Sequence, residues 1–284
     1  MAKSGMVTII GRSNVGKSTL LNALAGTKLA ITTPKPQTTR LPVTGILNRP
    51  EGQAVIVDTP GIMQKARDQL TSRLLQLAKE SLHGVDAIIY VADASRLIGD
   101  EEKQTLKLIE ESKLPKLMVI NKMDKPEARH FVDFYRDMKD RFENYVEISA
   151  LDGKNIDLVE RWIFDHLPEG EPMYPEGQVT NISNEQWMAE LIREKIFLRL
   201  REEVPYSVHV VVDEITTRAN GVVYVKARII TSSNRYKPMI IGKGGQGLKE
   251  IGQSTRNELE AVSGKKYYLE LAVEVDSRWV DQLS

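Results

Sequence analysis

The sequence predicts an α/β domain with a mostly parallel sheet, followed by a smaller α+β domain. Three observations carry this. Residues 1–168 alternate short apolar runs with amphipathic stretches, and buried parallel strands read as continuous apolar runs. Residues 168–177 hold three Pro and two Gly in ten positions, a composition that reads as a linker. Beyond it the order of elements changes to α-β-β-α-α-β. The predicted division is a first domain over 1–168, a linker over 169–183 and a second domain over 184–284.

In the first domain the apolar runs Met6–Ile10, Val43–Leu47, Ala54–Val57, Ala87–Val91, Leu117–Ile120 and Tyr145–Ile148 are the expected strands. Helices are expected to begin near Lys17, Gln69, Asp100, Ala128 and Ile156. The six residues between Val43–Leu47 and Ala54–Val57 leave no room for a helix, so those two strands should form an antiparallel hairpin at one edge. In the second domain Asn184–Glu203 is an expected helix, with Met188, Ile192 and Ile196 on one face and Pro205 ending it. Strands Ser207–Asp213 and Val222–Ile230 follow, joined by a turn at Ala219-Asn220-Gly221. A short helix over Ser233–Ile240, a Gly-rich turn, a helix from Gln246 to about Val262 and a strand Tyr267–Val275 complete it.

Composition narrows the function. Cysteine is absent from the 284 residues, which excludes disulfides, thiolate nucleophiles and Cys-ligated metals. This fits a reducing cytoplasm. No apolar run approaches the ~18 residues of a membrane span. The four histidines lie far apart and suggest no metal site. Lys+Arg and Asp+Glu are both 39, and a zero total can hide a local patch.

Gly11-Arg12-Ser13-Asn14-Val15-Gly16-Lys17-Ser18 matches the phosphate-binding pattern G-x-x-x-x-G-K-[ST], between an expected strand and an expected helix. The glycines let the backbone curl so that successive N–H groups face phosphate oxygens, and the helix N-terminus adds partial positive charge. Lys17 is positioned for the terminal phosphates, Ser18 for Mg²⁺, and Thr19 continues the helix start. Asp58-Thr59-Pro60-Gly61 ends the strand Ala54–Val57, where Asp58 can hold Mg²⁺ and the Gly61 N–H can approach a γ-phosphate.

Asn121-Lys122-Met123-Asp124 ends the strand Leu117–Ile120. A carboxylate only accepts hydrogen bonds, and guanine offers two adjacent donors where adenine does not. Asp124 therefore selects guanine, Asn121 tethers neighbouring loops, and the Lys122 stem lies over the base. The Ser149 and Ala150 N–H groups are expected to face guanine O6. The ligand is thus GTP or GDP.

These elements resemble the translation-factor class of small GTPases over essentially the whole first domain. The resemblance implies an α/β P-loop GTPase domain, with Pro36–Arg40 as first switch and Gly61 onward as second. Thr39, in preference to Thr38, would then sense the γ-phosphate and Mg²⁺. Ras-like proteins carry a water-orienting Gln just after this glycine. Here Ile62 stands there, which implies slow intrinsic hydrolysis. GTPases with an apolar residue at that position often carry an Asn where this chain has Asn14. In that group the Asn resembles a K⁺ ligand, the cation replacing an arginine finger. The alternative is that Asn14 braces the loop.

In the second domain Ile240-Ile241-Gly242-Lys243-Gly244-Gly245 sits between two expected helices. Gly-x-x-Gly there is the loop that clamps a nucleic-acid backbone in KH domains, and the element order resembles the type II KH topology. From Arg218 to Arg256 there are eight basic residues, including Arg228, Lys237, Lys243 and Lys249, against the single acid Glu250, a net of +7. Such a stripe suits phosphate contacts. Ile240, Ile241 and Leu248 are the expected apolar floor.

One P-loop GTPase domain followed by a type II KH domain resembles the Era family. The resemblance implies a monomeric, cytoplasmic ribosome-assembly GTPase. Its partners would be the 30S-type subunit and small-subunit ribosomal RNA near the 3′ end, and peripheral contact with the inner membrane face stays open. A related family has two GTPase domains in tandem and another ends in a catalytic Cys; neither fits. Two other readings compete: a P-loop kinase, against which Asn-Lys-x-Asp argues, and a GTPase whose second domain binds protein or membrane in place of RNA.

Overall fold

The computed structural model describes residues 2–62 and 69–282. By internal contacts the chain divides into two units, 1–181 and 182–284. The first is a six-stranded sheet in the order β2-β3-β1-β4-β5-β6. Its strands are β1 (Lys3–Ile10), β2 (Val43–Arg49), β3 (Gly52–Asp58), β4 (Ala87–Asp93), β5 (Lys116–Asn121) and β6 (Asn144–Glu147). Only β2 runs antiparallel, paired with β3 through the expected hairpin. Helices α1 (Lys17–Ala25), α2 (Gln69–Glu80), α3 (Asp100–Glu110), α4 (Val132–Arg136) and α5 (Ile156–His166) connect and cover it. Every β4 residue is buried, as a central parallel strand requires.

Two expectations change. The helix expected from Ala128 is a 3₁₀ turn, Pro126–His130, then the five-residue α4. Phe131 between them (φ −124°, ψ −8°) breaks the helical path. The stretch read as a linker over 169–183 is bonded to the first unit through Thr180. Gly170 N donates to Ala2 O and Ile46 N to Val179 O. Gln53 accepts from Met173 N and Tyr174 N, and Thr180 Oγ1 donates to Thr44 O. Proline and glycine rule out a helix here, yet they permit extended chain to cover the exposed edge of β2.

The second unit packs three helices on one face of a three-stranded sheet. Its elements are α6 (Asn184–Arg199), β7 (Val208–Thr217), β8 (Val223–Thr231), α7 (Lys237–Ile241), α8 (Gln246–Ser263) and β9 (Tyr267–Val275). β7 is antiparallel to β8, and β8 is parallel to β9. Ser183 and Gln186 form a capping box at the start of α6. Ile192, Ile196, Val208, Ala227, Ile229 and Ile251 form the core. The helix ends at Arg199 and a 3₁₀ turn, Val204–Ser207, contains Pro205.

Candidate nucleotide and nucleic-acid sites

The carboxyl ends of β1, β3, β4, β5 and β6 lie at one edge of the sheet, where ligands bind in open α/β folds. The phosphate loop leaves β1 there and enters α1 at Lys17. Asn14 (φ 62°) and Gly16 (φ 100°) hold left-handed backbone, which curls the loop. A Cβ on Gly16 would lie 2.2 Å from Asn121 Nδ2, and one on Gly61 2.5 Å from Ser13 Cα. Glycine at these two positions lets the base loop and the second-switch element press against the phosphate loop. A cleft of about 400 Å³, including its open mouth, lies between this loop, residues 31–33 and 37–39, and Gly61.

Lys17 is buried, and Nζ donates to Gly11 O (3.1 Å) and Arg12 O (3.0 Å). Desolvation lowers its pKa to about 8, while Asp58 and Glu102 pull the other way. Val15 is fully buried and Thr19 lines the cleft.

Ser18 Oγ donates to Asp58 Oδ2 (2.6 Å) and lies 2.9 Å from Thr39 Oγ1, which is 3.3 Å from the same carboxylate oxygen. Asp58 is fully buried, and its Oδ1 has no hydrogen-bond partner among the described residues. Burial raises its pKa, opposed by Lys17 and the two hydroxyls. A buried carboxylate with an unsatisfied oxygen, flanked by two hydroxyls, is a hard-oxygen set that suits Mg²⁺. Thr38 is occupied otherwise, its Oγ1 donating to Lys35 O.

Asn121 Nδ2 donates to Val15 O (2.9 Å) and its Oδ1 accepts from Ala150 N (3.0 Å), so one side chain ties three loops. Lys122 Nζ donates to Asn14 O and Asp93 Oδ2. Asp124 is exposed, with Oδ1 accepting from Ser149 Oγ (2.8 Å). The N–H groups expected to face guanine O6 are both engaged within the chain: Ala150 N with Asn121, Ser149 N with Lys154 O. Ser149 instead orients Asp124 through its hydroxyl.

Ile62 is 1% exposed and packed among Ile10, Ala92 and Ile120, so its side chain belongs to the core. The rest of the second switch, residues 63–68, lies outside the described residues. Asn14 Nδ2 donates to Pro34 O (2.9 Å), a brace between the phosphate loop and the segment preceding the first switch.

Sequence reasoning missed Asp93, Arg96, Arg12 and Glu102. Asp93 ends β4, as Asp58 ends β3, and that parallel was the available signal. Burial opposes its charge, but bonds from Lys122 and Ser95 outweigh this and hold its pKa low. Arg96 links Asp93 to Ser13 O. Arg12 pairs with Glu102 at 2.9 Å, both almost fully buried, and the Tyr90 and Tyr135 hydroxyls donate to Glu102.

In the second unit Gly242, Gly244 and Gly245 all have positive φ. A Cβ on Gly242 would meet Gly247 N at 2.8 Å, while Gly244 and Gly245 face open space. The turn therefore presents bare backbone beside the exposed Lys243 and the N-terminus of α8. A groove runs from it between α8 and β9, lined by Gly245, Leu248, Lys249, Gly252, Gln253, Arg256, Tyr268, Leu269 and Leu271. Lys249 and Leu248, both expected at the nucleic-acid surface, line this groove. Ile240 is fully buried and Ile241 half-buried, so the apolar lining comes from Leu248, Leu269 and Leu271. Lys237 lies at the first position of α7. Arg228 does not line the groove: it bonds Asp213 with two nitrogens and Glu274 with a third, which neutralises it.

Comparison with known proteins agrees with this architecture. Residues 6–122 match the family described as 50S ribosome-binding GTPase, and residues 203–280 match the KH domain. The chain is 45% identical over 280 residues to GTPase Era of Carboxydothermus hydrogenoformans, covering 98% of this chain and 94% of the relative. It is 42% identical over 278 residues to GTPase Era of Halothermothrix orenii, with the same coverage. Among solved structures it resembles a point variant of Aquifex aeolicus Era bound to GDP.AlF4⁻ (39% identity, TM-score 0.91, 98% and 95% of the two chains). It also resembles Era in complex with MgGDPNP and nucleotides 1506–1542 of 16S ribosomal RNA (39% identity, TM-score 0.92, 99% and 96%). With both domains in order and relatives well above 30% identity along nearly its whole length, the chain belongs to the Era family of GTPases.

Proposed function

We propose that the protein is a GTP-hydrolysing switch that binds small-subunit ribosomal RNA near its 3′ end and assists assembly of that subunit in the cytoplasm. The observation that carries this reading is the pairing, in one chain, of the cleft around Lys17 and Asp58 with the open Gly242–Gly245 backbone and its groove. It is supported by the related Era whose structure holds MgGDPNP and a 16S segment. The broader family description names the 50S subunit but matches only residues 6–122, whereas the 16S-bound relative matches 99% of the chain. The small subunit is therefore the better partner.

The residues divide the work. Phosphate-loop N–H groups and Lys17 hold the β- and γ-phosphates, so charge building on the transferred phosphoryl oxygens meets fixed donors. Ser18, Thr39 and Asp58 would hold Mg²⁺, which supplies neutralisation of phosphate charge. Asp124 and Asn121 select and brace the guanine loop. Thr39 and Gly61 sense the γ-phosphate, and its loss after hydrolysis releases the first switch. Ile62 places no polar group near the attacking water, so intrinsic turnover is slow. Asn14 braces the loop through Nδ2, and its amide oxygen is the group that suits K⁺.

Replacing Lys243 and Gly244 together by Asp tests the RNA half. Both face solvent, and the left-handed backbone at Gly244 (φ 59°) costs an Asp only about 1 kcal/mol, so the fold absorbs the change while like charge opposes the RNA backbone. RNA binding is lost and GDP affinity is retained. Undiminished RNA affinity would remove the KH groove from the account.

A further inference from the structure

Tyr268 lines the groove between α8 and β9, and it also belongs to a second constellation on the open face of the sheet. Tyr224 and Tyr268 are cross-strand partners on β8 and β9, their rings 6.1 Å apart and within 15° of parallel. Arg218, in the turn after β7, lies over both, its guanidinium carbon 4.6 Å from the Tyr224 ring and 5.1 Å from that of Tyr268. Arg218 is exposed and forms no salt bridge among the described residues. The adjacent Glu270 carboxylate is bonded to Tyr224 Oη instead. Arg228, on the same strand as Tyr224, shows the contrast: two carboxylates quench it.

An exposed arginine held over two aromatic rings has lost much of its rotamer freedom before any ligand arrives, yet its N–H fork stays open. Such a fork matches a phosphate bidentately. We infer that Arg218, supported by Tyr224 and Tyr268, is a phosphate site for the RNA strand where it leaves the groove, beyond the nucleotides clamped at Gly242–Gly245. Two observations fix the occupant as RNA backbone. Tyr268 is shared by the groove and the arginine support, so a strand in the groove passes the site. Arg218 makes no ion pair among the described residues and stands beside a groove already carrying Lys249 and Arg256, while the nearby acids Glu270 and Glu214 act on Tyr224. The inference rests on the RNA-binding reading above and extends it.

The turn of a KH domain clamps about four nucleotides. Binding is therefore measured by the full-length protein to single strands cut back stepwise from the 16S 3′ segment, from about twelve nucleotides down to about four. Arg218→Ala is expected to weaken the longest strand about tenfold and leave the shortest unchanged. It should also reduce the salt dependence of the long strand by about 0.7 in log–log slope, the value for one single-strand phosphate contact. Arg218→Lys restores the slope but only part of the affinity, because a point charge lacks the fork. Tyr224→Leu keeps the charge and loses the support, so affinity falls about threefold with the slope unchanged. Equal affinity and slope in Arg218→Ala at every length overturns the inference, as does an equal loss for the shortest and longest strands. If the unaltered protein binds none of the strands, the RNA reading fails first and is identified as the cause.

Discussion

Replacing Gly16 by Ala is the sharpest probe of how the nucleotide site is assembled. Gly16 adopts φ 100°, a region that costs an L-residue about 1–2 kcal/mol. The new Cβ would lie 2.2 Å from Asn121 Nδ2 and must displace it. Asn121 would then lose its bonds to Val15 O and Ala150 N, about 1 kcal/mol each. The substitution should cost about 3–4 kcal/mol, a loss of a few hundredfold in GDP affinity at about 1.4 kcal/mol per tenfold. Asn121→Ala removes the same two bonds without the strain and costs about 2 kcal/mol, roughly thirtyfold. If the clash acts through Asn121, the double variant loses no more than Gly16→Ala alone. Independent effects would sum to about 5–6 kcal/mol. Calorimetric titration with GDP of the four proteins closes the cycle. A double variant whose loss equals the sum of the two singles would refute the reasoning.

Asp124→Asn exchanges one acceptor for a donor that opposes guanine. GDP affinity should drop at least about a hundredfold while xanthosine diphosphate, which offers an acceptor there, gains; unchanged GDP affinity in competition titration removes Asp124 as base reader. Glu102→Ala strands the buried Arg12 guanidinium together with the Tyr90 and Tyr135 hydroxyls and should cost about 3–5 kcal/mol, lowering the thermal transition of the first unit; an unchanged transition would remove the buried pair from the account. Hydrolysis should be faster in K⁺ than in Na⁺, and Asn14→Ala should erase the difference. Equal rates for the unaltered protein would leave Asn14 as a brace only.

The phosphate loop was legible in the sequence because its chemistry needs contiguous residues: Gly11 to Ser18 act through one turn of backbone. The strand-end carboxylate and the Asn121–Asp124 element were legible by their order after apolar runs. What escaped depends on contacts between distant segments. Arg12 and Glu102 are ninety residues apart, and nothing local marks them as partners. Arg228 counted toward a basic stretch, but Asp213 and Glu274, which cancel it, lie outside that stretch on neighbouring strands. The groove takes Tyr268 and Leu271 from an edge strand whose apolar pattern predicted only a strand. Residues 169–183 read as linker because composition reports what a segment cannot form, while the bonds of Val179 and Thr180 to β2 follow from an edge that needed covering.

The central claim is that a guanine-nucleotide switch governs the hold of this chain on small-subunit RNA. Crosslinking the full-length protein to ribosomal RNA, with a non-hydrolysable GTP analogue or with GDP, and sequencing the attached RNA tests it directly. Reads should concentrate at the 3′ end of 16S ribosomal RNA, more strongly with the analogue, and disappear when Lys243 and Gly244 are both Asp. Reads centred on large-subunit RNA, or equal for the two nucleotides, would contradict it.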